Sequence, residues 1–250
     1  MTDPANGHGA EPDRPEIQRR YRWRIAVFLV AVCVTLALLG AACWTSEAIR
    51  RVDVVETERD RWQRPRDVVE ALDLQEGDIV ADIGSGVGYF ALKLSDRIGK
   101  RGRVLSVDVR RFPLLFLRTR MLLSGRHNLE VVHGAADDPR LPAGGIDAVL
   151  VANTYHELTH PGTVLDRLFD ALRPGGRLVV VDPGPDVLPE APAEGGAHHH
   201  EAAASAEARL RRAGFEILGR QDTFVERTGH EPWWLIVARR PGPARPVELP

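Results

Sequence analysis

The sequence predicts an α/β domain: an open, mostly parallel sheet with helices on both faces, behind one apolar segment of membrane length. Three observations carry this. From residue 79 onward, short runs rich in Val, Ile and Leu alternate with helix-compatible stretches. The first of these runs, Val80-Ala-Asp-Ile83, enters a turn with glycines at 84, 86 and 88, and a helix-compatible stretch from Tyr89 to Arg97 follows at once. Finally, Ile25 to Trp44 contains no charged residue.

With 250 residues, the chain has room for one such domain and accessory segments. A formal net charge of -2 provides no bulk attraction to nucleic acid, so none is expected as a partner. The two cysteines, Cys33 and Cys43, both fall in the apolar segment. The rest of the chain therefore offers no disulfide framework, thiolate metal site or cysteine nucleophile.

Residues 1–24 read as a polar, disordered leader, basic toward its end. The twenty residues 25–44, at about 1.5 Å rise each, span about 30 Å, the thickness of a bilayer core. A cleaved signal peptide has a shorter apolar core of about 7–15 residues. The long segment and its polar leader favour an uncleaved transmembrane anchor. Leu39-Gly-Ala-Ala-Cys43 resembles a lipobox, which keeps a lipoprotein signal as the alternative, although Gly40 is unusual there. Arg19, Arg20, Arg22 and Arg24 outweigh Arg50 and Arg51 across the span. That bias places the large domain outside the cytoplasm.

Residues 45–63 are strongly charged and read as a juxtamembrane helix or linker; the domain is expected over 64–239. Asp67-Val-Val-Glu-Ala-Leu72 has helical periodicity. Expected strands are Ile79–Ile83, Arg103–Val107, Leu129–His133, Ala148–Ala152 and Arg177–Val181, with helices near 89–98, 112–124 and 161–172. A helix near 202–213 precedes Phe215–Leu218 and Trp233–Ala238, a pair that can form a hairpin and place one antiparallel strand in the sheet. Residues 240–250, with interleaved Pro and Gly, are expected to be a disordered tail.

Sites in open α/β sheets gather at the carboxyl ends of the strands. Those ends carry acids in sequence. The first strand holds Asp82 and runs into Gly84-Ser85-Gly86-Val-Gly88. The second meets Asp108, twenty residues beyond Gly88, where a carboxylate can accept both hydroxyls of a ribose. After the third come Asp137 and Asp138, either of which can accept from an adenine amino group. The fourth runs into Asn153-Thr-Tyr-His-Glu157. The glycine spacing is G-x-G-x-G rather than the G-x-G-x-x-G of pyrophosphate sites, which suits a ligand without phosphate. Each signal has a plainer explanation alone: a structural turn, a helix cap at Asp108, loop acids at 137 and 138.

Val80-Ala-Asp-Ile-Gly-Ser-Gly-Val-Gly-Tyr-Phe90 resembles the first motif of the class I S-adenosylmethionine-dependent methyltransferases, and the resemblance extends over roughly Arg64 to Arg239. It implies a Rossmann-like seven-stranded methyltransferase sheet whose last strand is antiparallel. The implied cofactor is S-adenosyl-L-methionine, contacted by Asp82, Gly84, Ser85, Gly86, Gly88, Asp108, one of Asp137 and Asp138, and Asn153. Asp60-Arg-Trp-Gln-Arg-Pro65, Asp137-Asp-Pro-Arg-Leu-Pro142 and Asn153-Thr-Tyr-His156 look like a bacterial group often preceded by an export or anchor segment.

Methyl transfer needs orientation, dehydration and, for a protonated acceptor, a base. His156 and Tyr155 stand at the expected mouth of the site, and imidazole takes a proton near neutral pH. Otherwise Tyr155 packs over the cofactor and His156 bonds a neighbouring backbone group. Glu157 is a weaker candidate. His198-His-His200-Glu201 reads as a solvated loop or acceptor lid rather than a metal site, because consecutive side chains point apart. No metal is expected. The acceptor is expected to be a small molecule or a membrane-resident one, such as a quinone or lipid. A non-catalytic nucleoside-binding module on the same fold is the competing reading. It is favoured by the outward topology, since the donor is made in the cytoplasm.

Overall fold

The computed structural model describes residues 14–185, 201–228 and 231–242. The expected leader before residue 14, the His198-His-His200 stretch and the tail beyond residue 242 lie outside the described residues. The chain divides into two compact units, Met1–Val55 and Glu56–Pro250.

Helix α1, Arg14–Trp62, is 49 residues long. Its apolar stretch is exposed within the molecule. Among the described residues it is the one helix long and apolar enough to cross a membrane, by length and composition. The hydroxyl of Thr35 donates to the carbonyl of Ala31 at 2.9 Å, so this polar side chain is satisfied within the helix.

The second unit is a seven-stranded sheet in the order β3-β2-β1-β4-β5-β7-β6. In chain order it contains α2 (Pro65–Ala71), β1 (Ile79–Ile83), α3 (Tyr89–Ile98), β2 (Arg103–Asp108), α4 (Arg111–Ser124), β3 (Leu129–His133) and β4 (Ile146–Ala152). A 3-10 turn at Tyr155–Glu157 precedes α5 (Pro161–Ala171), β5 (Leu172–Pro183), α6 (Ala203–Arg212), β6 (Glu216–Val225) and β7 (Trp233–Arg239). β7 runs antiparallel to both β5 and β6. It is the antiparallel strand expected from the terminal hairpin.

Alternation along the strands builds two apolar layers. Val80, Val104, Leu150 and Val179 face α2 and α3 with Val68, Phe90 and Leu94. Ala81, Leu105, Val149 and Leu178 face α5 and α6 with Leu165, Leu168 and Leu210. Covered on both faces, the central strands have no need of polar positions, which is why they read as unbroken apolar runs. β1 pairs in parallel with β2 on one side and β4 on the other, Ile83 lying level with Val107 and Val151. The strand order reverses at β1, so the carboxyl ends of β1, β2 and β4 open a crevice at the switch point.

Several boundaries differ from expectation: α1 already begins at Arg14, within the stretch expected to be disordered, β4 begins at Ile146 rather than Ala148, β5 runs on to Pro183 rather than Val181, and β6 runs to Val225 rather than Leu218. β5 starts at Leu172 rather than Arg177, because Leu172 already pairs with Ile146 before the Pro174-Gly-Gly176 irregularity. The compact unit begins at Glu56 rather than near residue 64. The stretch that reads as solvated charge is partnered in the fold. Glu56 holds Arg120 at 2.7 and 2.8 Å, Gln63 is fully buried, and Trp62 meets Trp233 edge-on with 5.4 Å between ring centres.

Candidate functional site

The turn after β1 is shaped by close approaches. The N–H groups of Gly84 and Ser85 both donate to the carbonyl of Val107, at 2.8 and 3.0 Å, fastening the turn to β2. At Gly84, φ is +71°, and an added Cβ would lie 2.1 Å from Thr154 Oγ1. Only glycine lets the end of β1 come this near the end of β4. Gly88 (φ +97°) begins α3, and a Cβ there would lie 2.4 Å from Leu117 Cδ1. That glycine seats α4 against the turn.

Two acids flank the turn. Asp108 is buried at the end of β2 and takes the N–H of Gly86 on Oδ2 at 2.9 Å and that of Arg110 on Oδ1 at 2.8 Å. It thus fixes the glycine turn and the residue that precedes α4, but α4 has no side-chain cap hydrogen bond, so Asp108 is not the helix cap that the plainer reading expected. Asp82 is 2% exposed, and its Oδ2 has no hydrogen-bond partner among the described residues. Burial drives its pKa up to about 7, with the negative charge of Asp108 adding to the rise. The N–H of Ala91 and the guanidinium of Arg59 pull the other way.

Arg59, from the end of α1, is held over the Tyr89 ring at 3.9 Å from its centre and donates from Nε to Gln63 Oε1 at 2.8 Å. Burial lowers its pKa. The Tyr89 hydroxyl donates to Asp60 at 2.8 Å, and Lys93 pairs with the same carboxylate at 2.8 Å.

Two adjoining cavities open here and share Gly84, Arg110, Thr154 and Glu157. The first, of about 210 Å³, is mostly apolar, lined by Val107, Val109, Ala135, Ala136, Pro139 and Leu158. The second, of about 420 Å³, is polar, lined by Arg59, Asp82, Ser85, Gly86, Tyr89 and Asn153. Asn153 carries a positive φ of 54° at the end of β4, and its N–H donates to the carbonyl of Val181 at 2.8 Å. A non-glycine residue in this region is uncommon and marks a constrained strand end.

The residues expected at the site divide into three groups. Asp82, Gly84, Ser85, Gly86, Asp108 and Asn153 line the cavities, and Gly88 stands behind the turn. Asp137 is exposed, and Asp138 is occupied with its own loop, accepting the Arg140 N–H at 2.7 Å; neighbouring Ala135, Ala136 and Pro139 line the cavity instead. Tyr155 and His156 line neither cavity. Tyr155 is 3% exposed and packs in the core edge-on to Trp234, with 5.9 Å between ring centres. His156 turns to Asp182, the buried acid near the end of β5, with Nδ1 3.0 Å from Oδ2. That hydrogen bond raises the imidazole pKa. Nε2 of the same ring lies 3.9 Å from Glu157, which lines both cavities. Among the described residues, no group of three or more His, Cys, Asp or Glu side chains could hold a metal ion.

A seven-stranded sheet of this order, with acids at successive strand ends around a glycine turn, is the fold of the class I S-adenosylmethionine-dependent methyltransferases. The donor joins a nucleoside, a sulfonium and an amino acid. An apolar cavity beside Asp108 and a polar one holding the unpartnered atoms of Asp82 and Ser85 fit these parts.

Comparison with known proteins agrees. Residues 80–176 match the family model described as a methyltransferase domain. The chain is 29% identical over 191 residues to the ubiquinone/menaquinone biosynthesis C-methyltransferase of Pseudomonas entomophila, covering 73% of this chain and 68% of the relative. It is 33% identical over 113 residues to protein-L-isoaspartate O-methyltransferase 2 of Archaeoglobus fulgidus, covering 44% and 48%. The chain thus spans two thirds of the first relative and about half of the second. A solved S-adenosylmethionine-dependent methyltransferase from Aquifex aeolicus shares the fold with a TM-score of 0.59 at 23% identity, covering 70% of this chain and 88% of the other. A phosphoethanolamine N-methyltransferase 2 from Haemonchus contortus aligns with a TM-score of 0.62 at 15% identity, covering 72% and 53%.

Proposed function

We propose that this protein transfers a methyl group from S-adenosylmethionine to a small-molecule or lipid-like acceptor, anchored at a membrane by its apolar N-terminal helix. The observation that supports this best is the single cleft at the ends of β1, β2 and β4. There the glycine turn brings Asp82, Asp108 and Asn153 around one opening.

When bound, the donor supplies a methyl group on a positively charged sulfur. The protein binds and orients. Asp108 accepts from the ribose hydroxyls with the lone pairs its two backbone partners leave, and the apolar cavity holds the base. Asp137 is the better placed of the two loop acids to reach an amino group, since Asp138 is committed to the Arg140 N–H. Asp82, Ser85, Arg59 and Asn153 receive the amino-acid end. At the acceptor side, Glu157 orients the acceptor or takes its proton. His156 is a positioning residue, fixed by Asp182 and presenting its other nitrogen toward Glu157.

The name of the first relative points to a quinone-type acceptor, and a membrane anchor is consistent with one. The positive flank of α1 favours an extracytoplasmic domain, which protease protection in intact cells tests directly. The non-catalytic alternative finds no support among relatives named as methyltransferases.

The deciding measurement is calorimetry of the full chain in nanodiscs with S-adenosylmethionine and its demethylated product. Binding that is lost in Asp108→Ala is expected; a wild-type protein that binds neither compound ends the proposal. Incubation with labelled donor and separated lipid and aqueous extracts then identifies the acceptor class.

A further inference from the structure

We propose that the outward face of α4 is a membrane-contact surface that seats on a bilayer bearing anionic lipid. The inner side of this helix is accounted for: Leu114, Leu117 and Arg120 are buried. The outer side carries Phe112, Leu115, Leu122 and Leu123 at 71%, 61%, 83% and 68% exposure. At about 100° per residue, these four fall on one stripe instead of being scattered, and single exposed apolar residues are ordinary whereas a stripe is not.

Charge selects the occupant. No residue from Arg111 to Ser124 is acidic. Arg111 and Arg118 are exposed along one edge of the stripe. Apolar side chains bordered by arginines match the acyl and headgroup layers of an anionic interface. A second copy fits poorly, because a two-fold contact on this face would set like charges against each other.

Two placements make the face useful. Glu56, the first residue of the second unit, is held by Arg120 of α4, so the start of this unit is fastened to this helix. At the start of α4, Arg110 and Pro113 line the polar cavity. On the proposed function, a bilayer under α4 would bring a membrane-dissolved acceptor to the mouth of the cleft.

The test uses the full chain with Cys33→Ser and Cys43→Ser, carrying a nitroxide at Leu122→Cys. A control label at Ala208→Cys sits on exposed α6, which packs on one face of the sheet, whereas Met121 of α4 packs on the other. In vesicles containing phosphatidylglycerol, label 122 should collide with oxygen severalfold more than with a water-soluble nickel chelate, whereas label 208 should behave as a site in water. Pure phosphatidylcholine, or Arg111→Glu with Arg118→Glu, should return label 122 to water-like values. Donor affinity in the same samples should stay unchanged, which separates this surface from the donor site. Water-like behaviour of label 122 on anionic vesicles overturns the proposal. So does equal immersion in neutral ones. Protection from both probes with spin–spin broadening overturns it in favour of a second copy.

Discussion

Asp182 holds His156 twice: Oδ2 accepts the His156 backbone N–H at 2.9 Å and lies 3.0 Å from the ring nitrogen Nδ1. The His156 side chain is 9% exposed and that of Asp182 1%, so the pair is shielded from water. The carboxylate raises the imidazole pKa. A histidine whose folded pKa exceeds its unfolded value contributes stability that is complete below the unfolded value, about 6.5. That stability is lost as pH rises through the higher folded value. Asp182→Asn should therefore lower the His156 titration midpoint by NMR and cost about 1.5–3 kcal/mol near pH 6, with a smaller loss at pH 9. Equal losses at both pH values would show that the charge of Asp182 is irrelevant.

Asp82 has the opposite linkage. Its carboxyl stays protonated in the fold up to about pH 7, whereas in the unfolded chain it ionises near the ordinary value of 3.8. Between those values the folded state holds a proton the unfolded state has released. Stability should fall as pH rises through that window, by up to about 1.4 kcal/mol per unit from this group. Asp82→Asn should remove that slope. A cationic ligand reverses the preference by favouring the carboxylate, so donor binding should release a proton at pH 6 and tighten toward pH 8. Calorimetry in two buffers of different ionisation enthalpy measures the proton directly; a heat independent of buffer would refute the coupling.

The contact between Gly84 and Thr154 separates crowding from backbone strain. Gly84→Ala places a methyl group on Thr154 and also holds alanine at a φ of +71°. The second effect alone costs roughly 1–2 kcal/mol, and the first should bring the total above that. Thr154→Gly in the Gly84→Ala background should recover the crowding part only. Urea midpoints of the four proteins, treated as a double-mutant cycle, give the coupling. Additive losses would mean that the two strand ends do not meet in solution.

What the sequence exposes and what it hides follow from the same physics. Central strands covered on both faces appear as apolar runs, so β1 and β2 are readable almost to the residue, and the half-buried edge strand β3 is marked by its own short Val-rich run. Gly84 and Asp108 are readable because a turn and a strand end leave local marks. Asp182 is missed because the expected strand stops at Val181, one residue short of an acid that stands at its strand end as Asp82 and Asp108 do at theirs. Tyr155 reads as a site residue because its neighbours are polar; Trp234, from the far end of the chain, buries it. Arg59 leaves no local mark at all. It lies among alternating charges on a long helix, and only the tertiary fold places it over Tyr89 and beside Asp82.

Arg59 therefore gives the strictest test of the site. Its charge is one of the influences holding the Asp82 pKa down, and its own pKa is lowered by burial. Arg59→Met keeps much of the apolar stem over Tyr89 while removing the charge. Without the guanidinium, Asp82 should hold its proton to higher pH, and the pH at which donor binding tightens should move upward with it. At pH 7 the donor Kd should rise about tenfold for each unit of that shift. In the Asp82→Asn background, Arg59→Met should leave the pH profile flat while still weakening binding of the amino-acid end. Calorimetric titrations of the four proteins from pH 6 to 9 resolve the two effects. A profile unmoved by Arg59→Met would mean that Arg59 acts on the donor alone and not through Asp82.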